Sequence, residues 1–515
     1  MIPALSTTPR TPLDWVSQLE RHANTKPDEV AITYVGSESL TWLELRERVS
    51  RLAASLRGLG VSRGGRVGMV QSNEPGYLES LLAIHRLGAI AVPINFRLSA
   101  SEIAYILSDC SATVALTDAT LHAKTQEAAA TASVTVGVED VRKLLADART
   151  EDTIDHGGAP EPASADEAVL IVYTSGTTGK PKGAVLSREN MIAQTISYLQ
   201  VFSSTRDGDV SLISTPLFHI AALGAVLPNL VVGHTTIVLP SGAFDAETFL
   251  DTVEQHGVTS AFLVPTQWQD VCASPTLPQR NLPLRAIAWA AAPASLSLLR
   301  RMIQSFPGVD IVSTFGQTEM SPNTTVLRGE DATRKIGSVG KALPLVDLRI
   351  VDTEMRDVPT GEVGEIVYRG PNAMLGYWNR PKETAEAFAG GWFHSGDLVR
   401  RDEEGFIYVV DRLKDMIISG GENIYSAEIE TVIAEDPRVE AVAVIGEPHA
   451  RWGEVPLAIV TAGDGSNPPV AEKILELCRE RLARYKCPAR VLIVDELPRN
   501  ATGKILKNVL RESIP

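Results

Sequence analysis

The chain has 515 residues, 44% of them hydrophobic and 22% charged, a balance typical of a globular protein with two or more domains. Its net charge of −15 argues against nucleic-acid binding. A site for an anionic ligand would therefore need positively charged residues close to the ligand. Scattered cysteines, no signal-peptide pattern and no spanning apolar stretch predict a reduced, cytoplasmic protein without a structural metal or an integral membrane segment.

Strands and helices alternate from residue 30 onward, which predicts βαβ units and parallel sheets. Thr41 and Glu44 form a capping-box pattern that begins one of these helices. The predicted elements are strands at 30–34, 66–70, 89–93, 112–117, 168–172 and 210–216 and helices at 42–58, 77–87, 101–108 and 187–199. The Ala-, Pro- and Gly-rich stretch 150–166 predicts a loop.

The pattern changes at Gly361, where apolar and polar residues alternate between glycines and predict a small β subdomain or barrel. Beyond Asp411 the chain predicts helices at 426–434 and 471–485 and strands at 439–445, 457–461 and 491–494. That set is sufficient for an independent α+β domain. We therefore predict domains at 1–411 and 412–515, with a hinge at 411–414.

The most informative stretch is 173–183, Tyr-Thr-Ser-Gly-Thr-Thr-Gly-Lys-Pro-Lys-Gly, which directly follows an apolar strand. Its glycines let backbone N–H groups approach an anion, its hydroxyls add donors, and Lys180 and Lys182 supply charge. The spacing differs from the common nucleotide P-loop, and Pro181 removes an N–H where a helix would begin. A flexible Gly/Ser/Thr linker is the alternative, but the pattern favours a polyphosphate-binding loop. The predicted ligand contacts are Thr174, Ser175, Gly176, Thr177, Thr178, Gly179 and Lys182.

Five further motifs follow in order. They are Trp-Ala-Ala-Ala-Pro at 289–293, Ser-Thr-Phe-Gly-Gln-Thr-Glu at 313–319, Gly-Trp-Phe-His-Ser-Gly-Asp at 391–397, Asp-Arg-Leu-Lys-Asp at 411–415 and Leu-Pro-Arg-Asn-Ala-Thr-Gly-Lys at 497–504. With the 173–183 loop they cover nearly the whole chain and resemble the adenylate-forming superfamily of acyl-CoA synthetases, amino-acid adenylation domains and beetle luciferases. The resemblance implies an α/β fold. Its large N-terminal domain has two α/β subdomains with parallel-type sheets and a small β-barrel-like subdomain, followed by a small mobile C-terminal α+β domain.

The resemblance also implies roles for residues in the large domain. Thr318 would hold the α-phosphate, and Phe315 and Gly316 would contact adenine, although the family usually has Tyr at the position of Phe315. Glu319 would be the magnesium ligand, because Mg²⁺ prefers carboxylate and phosphate oxygens. A wall beside the adenine would be formed by Ala291, Ala292 and Pro293, with alanines where the family has glycines.

The remaining implied roles fall near the hinge and beyond it. Asp397 and Arg412 would contact the ribose, although each alone could equally be half of a surface ion pair. Lys414 would lie at the hinge, and Lys504 would be the catalytic lysine that offsets charge as the acyl adenylate forms. The pantetheine arm of coenzyme A would lie against Gly420 and Gly421.

His219, which follows Phe218, indicates which class of carboxylate the protein activates. It is also a predicted catalytic residue, together with Thr318, Glu319 and Lys504. Amino-acid-activating domains carry Phe-Asp here, so His219 argues against an amino-acid substrate. The uncharged stretch 220–227 predicts an apolar acyl group, because a buried carboxylate would need a cation. We therefore expect a fatty-acyl-CoA synthetase for medium- or long-chain acids that uses ATP, Mg²⁺ and coenzyme A.

Three alternatives share the same motifs. An aryl-CoA ligase for cinnamates or benzoates would carry all of them, and a luciferase-like oxygenase would share the adenylation half. A non-catalytic acyl or nucleotide sensor would keep the fold without needing Lys182, Glu319 and Lys504 together. The sequence leaves the oligomeric state open, a homodimer included.

Overall fold

The structure, a computed structural model, describes residues 13–147, 164–174, 180–202, 206–290, 294–419, 422–449, 451–463, 468–499 and 505–513. Most of the loop predicted at 150–166 therefore lies outside the described residues. The same holds for a group of predicted ligand contacts and the predicted catalytic lysine: Ser175, Gly176, Thr177, Thr178, Gly179, Ala291, Ala292, Pro293, Gly420, Gly421 and Lys504.

Strands and helices alternate along most of the described chain. The strands are β1 (Val30–Tyr34), β2 (Ser39–Thr41), β3 (Arg66–Val70), β4 (Ile90–Pro93), β5 (Val114–Thr117), β6 (Gly137–Asp140), β7 (Ala168–Thr174), β8 (Lys182–Ser187), β9 (Val210–Ile213), β10 (Thr235–Val238), β11 (Ser260–Phe262), β12 (Ala286–Trp289), β13 (Asp310–Gly316), β14 (Asn323–Arg328), β15 (Ser338–Ala342), β16 (Asp347–Val351), β17 (Val363–Arg369), β18 (Gly376–Tyr377), β19 (Phe393–Arg401), β20 (Ile407–Arg412), β21 (Ile417–Ser419), β22 (Glu422–Ile424), β23 (Val439–His449), β24 (Gly453–Ala462) and β25 (Arg490–Val494). The helices are α1 (Trp15–Thr25), α2 (Trp42–Gly58), α3 (Tyr77–Arg86), α4 (Ala100–Asp109), α5 (His122–Thr131), α6 (Val141–Asp147), α7 (Arg188–Phe202), α8 (Ile220–Val232), α9 (Ala246–Gln255), α10 (Pro265–Ala273), α11 (Leu296–Ser305), α12 (Gly329–Ala332), α13 (Pro381–Ala387), α14 (Ser426–Ile433), α15 (Ala471–Arg481) and α16 (Lys507–Ser513).

Local signals in the sequence set several of these bounds. The capping box of α2 is present, with the Thr41 hydroxyl accepting from the Glu44 N–H and the Glu44 carboxylate accepting from the Thr41 N–H. The helix predicted at 471–485 ends earlier, because Leu482 takes an extended conformation. The strand predicted at 439–445 continues to His449, because β23 stays paired with β24 over that length.

The chain forms two compact units, and the larger comprises Met1–Asp347 and Arg369–Phe388. One of its sheets has the order β15-β14-β13-β12-β11-β9-β10-β1-β2, with parallel pairing from β13 through β1. The other has the order β18-β8-β7-β4-β3-β5-β6, with parallel pairing from β7 through β6. The α/β fold with two parallel-type subdomains is therefore confirmed.

The smaller unit comprises Leu348–Tyr368 and Ala389–Pro515. The β-rich part predicted after Gly361 contains β17, β19 and β20 in antiparallel pairing, with β16 next to β17 in the strand order. The C-terminal part is a sheet of β22-β21-β24-β23 with β25 on β24. Alternate residues of β23 and β24 belong to two apolar clusters, one with α14 and α15 and the other with α16, as expected for a sheet covered on both faces.

The C-terminal sheet and its helices confirm the predicted α+β domain, while the domain bounds at 1–411 and 412–515 stay a prediction. The hinge at 411–414 concerns motion and stays a prediction. None of the described helices combines the length and apolar character that crossing a membrane requires.

Candidate active site

In the larger unit, β9, β11, β12 and β13 run parallel, so their carboxyl ends meet at one edge of the sheet. Ligands of open α/β sheets bind outside the carboxyl ends of the strands. Two predicted site segments follow these ends directly. His219 lies beyond β9, and Thr318 and Glu319 form a short 3₁₀ turn after β13.

The polyphosphate loop joins two antiparallel strands, since Thr174 at the end of β7 pairs with Lys182 at the start of β8. The sequence reasoning correctly excluded a helix after the loop but missed β8. Gly183 fits here because a side-chain carbon at its position would lie 2.5 Å from Ile171 Cγ2 and 3.1 Å from the Tyr173 ring. The loop therefore begins and ends at two chain segments held side by side.

Four polar side chains support the base of this loop. The Tyr173 hydroxyl donates to Asp109 at 2.7 Å, and Asp109 also forms an ion pair with Arg380 at 2.6 Å. Tyr105 donates its hydroxyl to the Pro181 carbonyl at 3.3 Å. Lys180 lies 5.5 Å from the centre of the Tyr105 ring, a cation–π distance. These contacts place Lys180 of the motif beside a fixed support.

Glu319 is the centre of the described site in this unit. Its Oε1 accepts from the Tyr377 hydroxyl at 3.0 Å and lies 3.4 Å from the Thr174 hydroxyl. Lys182 Nζ lies 5.4 Å from the centre of the Tyr377 ring. Burial, followed by the Glu319 charge, raises the pKa of Tyr377, so its hydroxyl keeps the proton that it donates. Thr174, Lys182 and Glu319 are thus brought together around Tyr377.

The donor set suits Mg²⁺. Among the described residues no group of three or more His, Cys, Asp and Glu side chains could hold a metal ion. A Mg²⁺ ion held by the Glu319 carboxylate would complete its shell with phosphate oxygens and water, the usual arrangement at nucleotide sites. The Glu319 carboxylate fits the ion chemically, and its role as the protein ligand stays a prediction.

Phe315 and Gly316 end β13 beside a crowded backbone. A side-chain carbon at Gly316 would lie 2.0 Å from the Pro322 carbonyl oxygen, so only glycine fits there. The Phe315 carbonyl accepts from the Thr324 hydroxyl at 3.0 Å, and Phe315 is partly exposed. A partly exposed phenylalanine beside a glycine is compatible with the predicted adenine contact, which stays a prediction.

His219 caps α8. Its Nδ1 accepts from the Ala221 N–H at 3.2 Å, which leaves Nε2 as the protonated nitrogen of a neutral ring. Burial lowers the pKa of His219, so the neutral form dominates near neutral pH. The turn before it is held by Asn73, which bonds Leu217 N and the Thr215 carbonyl. His219 therefore offers one N–H donor at a fixed position.

In the smaller unit, Asp397 and Arg412 are cross-strand neighbours of β19 and β20. Arg412 Nε contacts Asp397 Oδ1 at 2.8 Å, so the two predicted ribose contacts form an ion pair. Asp397 is buried and Arg412 is partly exposed, and the ribose role of the pair stays a prediction. Ser395, which stands where the family has Thr, accepts from the Asp397 N–H at 3.0 Å. The turn is further held by Glu365, which accepts from Gly396 N at 2.9 Å.

The segment 411–415 is connected to the helix that follows the predicted catalytic lysine. Arg511 of α16 contacts Asp415 at 2.8 Å. Lys507 of the same helix contacts Glu430 at 2.7 Å and donates to Ser426, whose hydroxyl donates to Asp411. Lys414 is exposed between these contacts. The helix that follows Lys504 is therefore anchored to the predicted hinge segment.

Sequence reasoning missed Tyr377. It is placed by β18, which pairs with β8 so that Tyr377 is opposite Ala184. The sequence signal was weak, a Gly-Tyr-Trp-Asn run at 376–379 without chemistry of its own. Asn372 was missed as well, and it ties this segment to the Met320 carbonyl at 2.9 Å.

Comparison with known proteins gives two matches to family models. The model described as AMP-binding enzyme matches residues 19–378, and the model of the AMP-binding enzyme C-terminal domain matches residues 428–504. A feruloyl-CoA synthase of Amycolatopsis sp is 42% identical over 493 residues, which cover 95% of this chain and 97% of the relative. The long-chain-fatty-acid–CoA ligase FadD13 of Mycobacterium tuberculosis is 37% identical over 481 residues, covering 92% of this chain and 93% of that protein.

Among solved structures, the o-succinylbenzoate coenzyme A synthetase of Bacillus subtilis in complex with ATP and magnesium ion is similar over its whole length. The TM-score is 0.85 at 31% sequence identity, and the match covers 95% of this chain and 98% of the other.

Proposed function

The chain belongs to the AMP-binding enzyme family, in the acyl-CoA synthetase branch of the adenylate-forming superfamily, and from this premise we propose that it is an AMP-forming CoA ligase for aromatic carboxylates. The observation that carries the chemistry is the placement of Glu319 between Tyr377 and Thr174 beside Lys182. In this arrangement the Glu319 carboxylate, which can bind a metal ion, lies close to the Lys182 charge and the Thr174 hydroxyl, which can bind a polyphosphate.

The reaction has two steps. A carboxylate oxygen attacks the α-phosphorus of ATP, the bond from that phosphorus to the bridging oxygen breaks, and pyrophosphate leaves. The thiol of coenzyme A then loses its proton to solvent and attacks the acyl carbonyl, the bond from that carbon to the AMP oxygen breaks, and AMP leaves with its newly gained oxygen. No protein side chain forms a covalent bond in either step.

Some residues of the site act on groups that carry charge, and others hold the neutral parts of the substrates. Lys182 and Thr174 bind phosphate oxygens, and the His219 Nε2–H donates toward the substrate carboxylate. Mg²⁺, bound by Glu319, would neutralise charge on the phosphates. Lys504 would offset charge on the reacting carboxylate and α-phosphate during the first step. Asp397 and Arg412 would hold the ribose, and Gly420 and Gly421 the pantetheine arm.

The aromatic class is favoured by the relative at 42% identity, which is a feruloyl-CoA synthase. Medium- or long-chain fatty acids are the second candidate. They are supported by the uncharged start of α8 and by the 37% identical fatty-acid ligase. Both candidates require an uncharged acyl group, so amino acids and dicarboxylates are expected to be poor substrates.

A screen of carboxylates by pyrophosphate release separates the candidates. We expect ferulate and 4-hydroxycinnamate to exceed medium- and long-chain fatty acids in kcat/KM, with malonate, succinate and amino acids at background. If fatty acids are preferred, the rate should climb with chain length, because each buried methylene contributes about 0.8 kcal/mol. That climb would establish the second candidate, and a dicarboxylate or amino acid as best substrate would contradict both.

A further inference from the structure

Gln194 of α7 has a buried amide without a hydrogen-bond partner. The residue is 0% exposed, and neither Oε1 nor Nε2 bonds to any other described residue. Nearly all buried side-chain amides in proteins are paired, because an unpaired one loses its bonds to water without replacement. The amide is therefore available to a partner outside the described residues, and a substrate is one such partner.

The amide lies beside Gly224 of α8, a position without a side chain, and α8 packs against α7. A side-chain carbon at Gly224 would come within 3.5 Å of Gln194 Nε2 and 2.9 Å of Pro322 Cδ. Gly224 therefore leaves room for the amide on one side and for the proline ring on the other. Ser321, the residue before Pro322, is also 0% exposed, and its hydroxyl has no partner among the described residues.

This position is connected to the candidate active site at both ends. Gly224 is five residues after His219 on α8, roughly 7.5 Å along the helix axis. Pro322 follows Glu319 by three residues. An acyl group whose carboxylate lies at His219 and whose tail follows α8 would therefore reach the level of Gln194. The residues of α8 from Ile220 to Gly224 carry no polar side chain. The polar group beside Gly224 is therefore the Gln194 amide of α7.

We propose that Gln194 determines specificity by hydrogen-bonding a polar substituent at the far end of the acyl group, namely a ring hydroxyl of an aromatic carboxylate. This inference rests on the proposed function and deepens it. The amide offers a donor and an acceptor, and a phenolic hydroxyl can use either. A fatty acid would leave both atoms unpaired, and a site built around a hydrogen bond rejects analogues that lack the bonding group.

The test is Gln194→Met, which keeps the length of the side chain and removes both polar atoms. We compare kcat/KM for 4-hydroxycinnamate and for cinnamate in the wild type and in the variant. The wild type should prefer the hydroxylated acid, and Gln194→Met should reduce that preference by at least about tenfold while activity on cinnamate is retained. The Tm of the substrate-free variant should rise, because an unpaired buried amide has been replaced by an apolar group.

Gln200→Met is the matched control, since Gln200 is an exposed glutamine of the same helix. It should change neither the preference nor the Tm. The role of Gln194 is overturned if Gln194→Met leaves the preference for the hydroxylated acid unchanged. It is also overturned if the variant has a lower Tm and loses activity equally on both acids, because that is the result for a glutamine that only supports the fold. A wild type that activates neither aromatic acid contradicts the proposed function instead.

Discussion

Lys504→Ala is expected to reduce adenylation by about 10²–10³-fold or more, the loss typical of one preorganised group that stabilises charge in the transition state. Thioester formation from supplied acyl-AMP should be much less affected, because the charge that Lys504 offsets develops only when the carboxylate attacks the α-phosphate. The two rates are measured separately, as pyrophosphate release with carboxylate and ATP and as CoA-thioester formation from purified acyl-AMP.

Two other lysines serve as controls for this variant. Lys507 is in the following helix and is largely buried, with contacts to Glu430 and Ser426, so Lys507→Ala should lower the Tm. Lys473 is an exposed lysine of α15, and Lys473→Ala should change neither rate. Equal losses in both half-reactions of Lys504→Ala, or a loss matched by Lys473→Ala, would show that Lys504 has no specific part in adenylation.

Glu319→Gln should lower ATP-dependent pyrophosphate release by about 10²-fold and raise the Mg²⁺ concentration needed for half-maximal rate. The substitution keeps the shape of the side chain and its acceptor for Tyr377 but removes the charge that attracts the metal ion. The measurement is a magnesium titration of the initial rate at saturating ATP.

Tyr377→Phe is the matched variant for this prediction. It removes the hydroxyl that donates to Glu319 at 3.0 Å and leaves the carboxylate in place. Loss of a group that orients a metal ligand typically costs about 10–100-fold in metal affinity, so its magnesium requirement should rise less than that of Glu319→Gln. A magnesium dependence that is the same in Glu319→Gln and the wild type would remove Glu319 from the ligand set.

The parts of the fold that the sequence predicted correctly depend on local signals. The Thr41 capping box, the alternating strands and helices of the first unit and the strand before residue 173 all follow from residues close together in the chain. The motif segments could be located for the same reason. Thr174, Lys182 and Glu319, chosen from two separate motifs, are brought together by the fold.

The parts that the sequence did not predict depend on pairing between distant segments. Tyr377 reaches Glu319 only because β18 pairs with β8, which is almost two hundred residues earlier. Arg380 supports the phosphate loop through Asp109 for the same kind of reason. The unpaired amide of Gln194 becomes visible only once α7 is packed on α8, because composition along α8 alone indicates an apolar pocket.

The claim that this protein forms acyl-CoA by way of an acyl adenylate is tested most directly by following the carboxylate oxygens. A carboxylate labelled with ¹⁸O at both oxygens is incubated with ATP, Mg²⁺ and coenzyme A, and the products are analysed by mass spectrometry. We expect AMP to carry one labelled oxygen and to appear in equal amount to the CoA thioester. Formation of ADP with the label in inorganic phosphate, or of thioester without labelled AMP, would contradict the account.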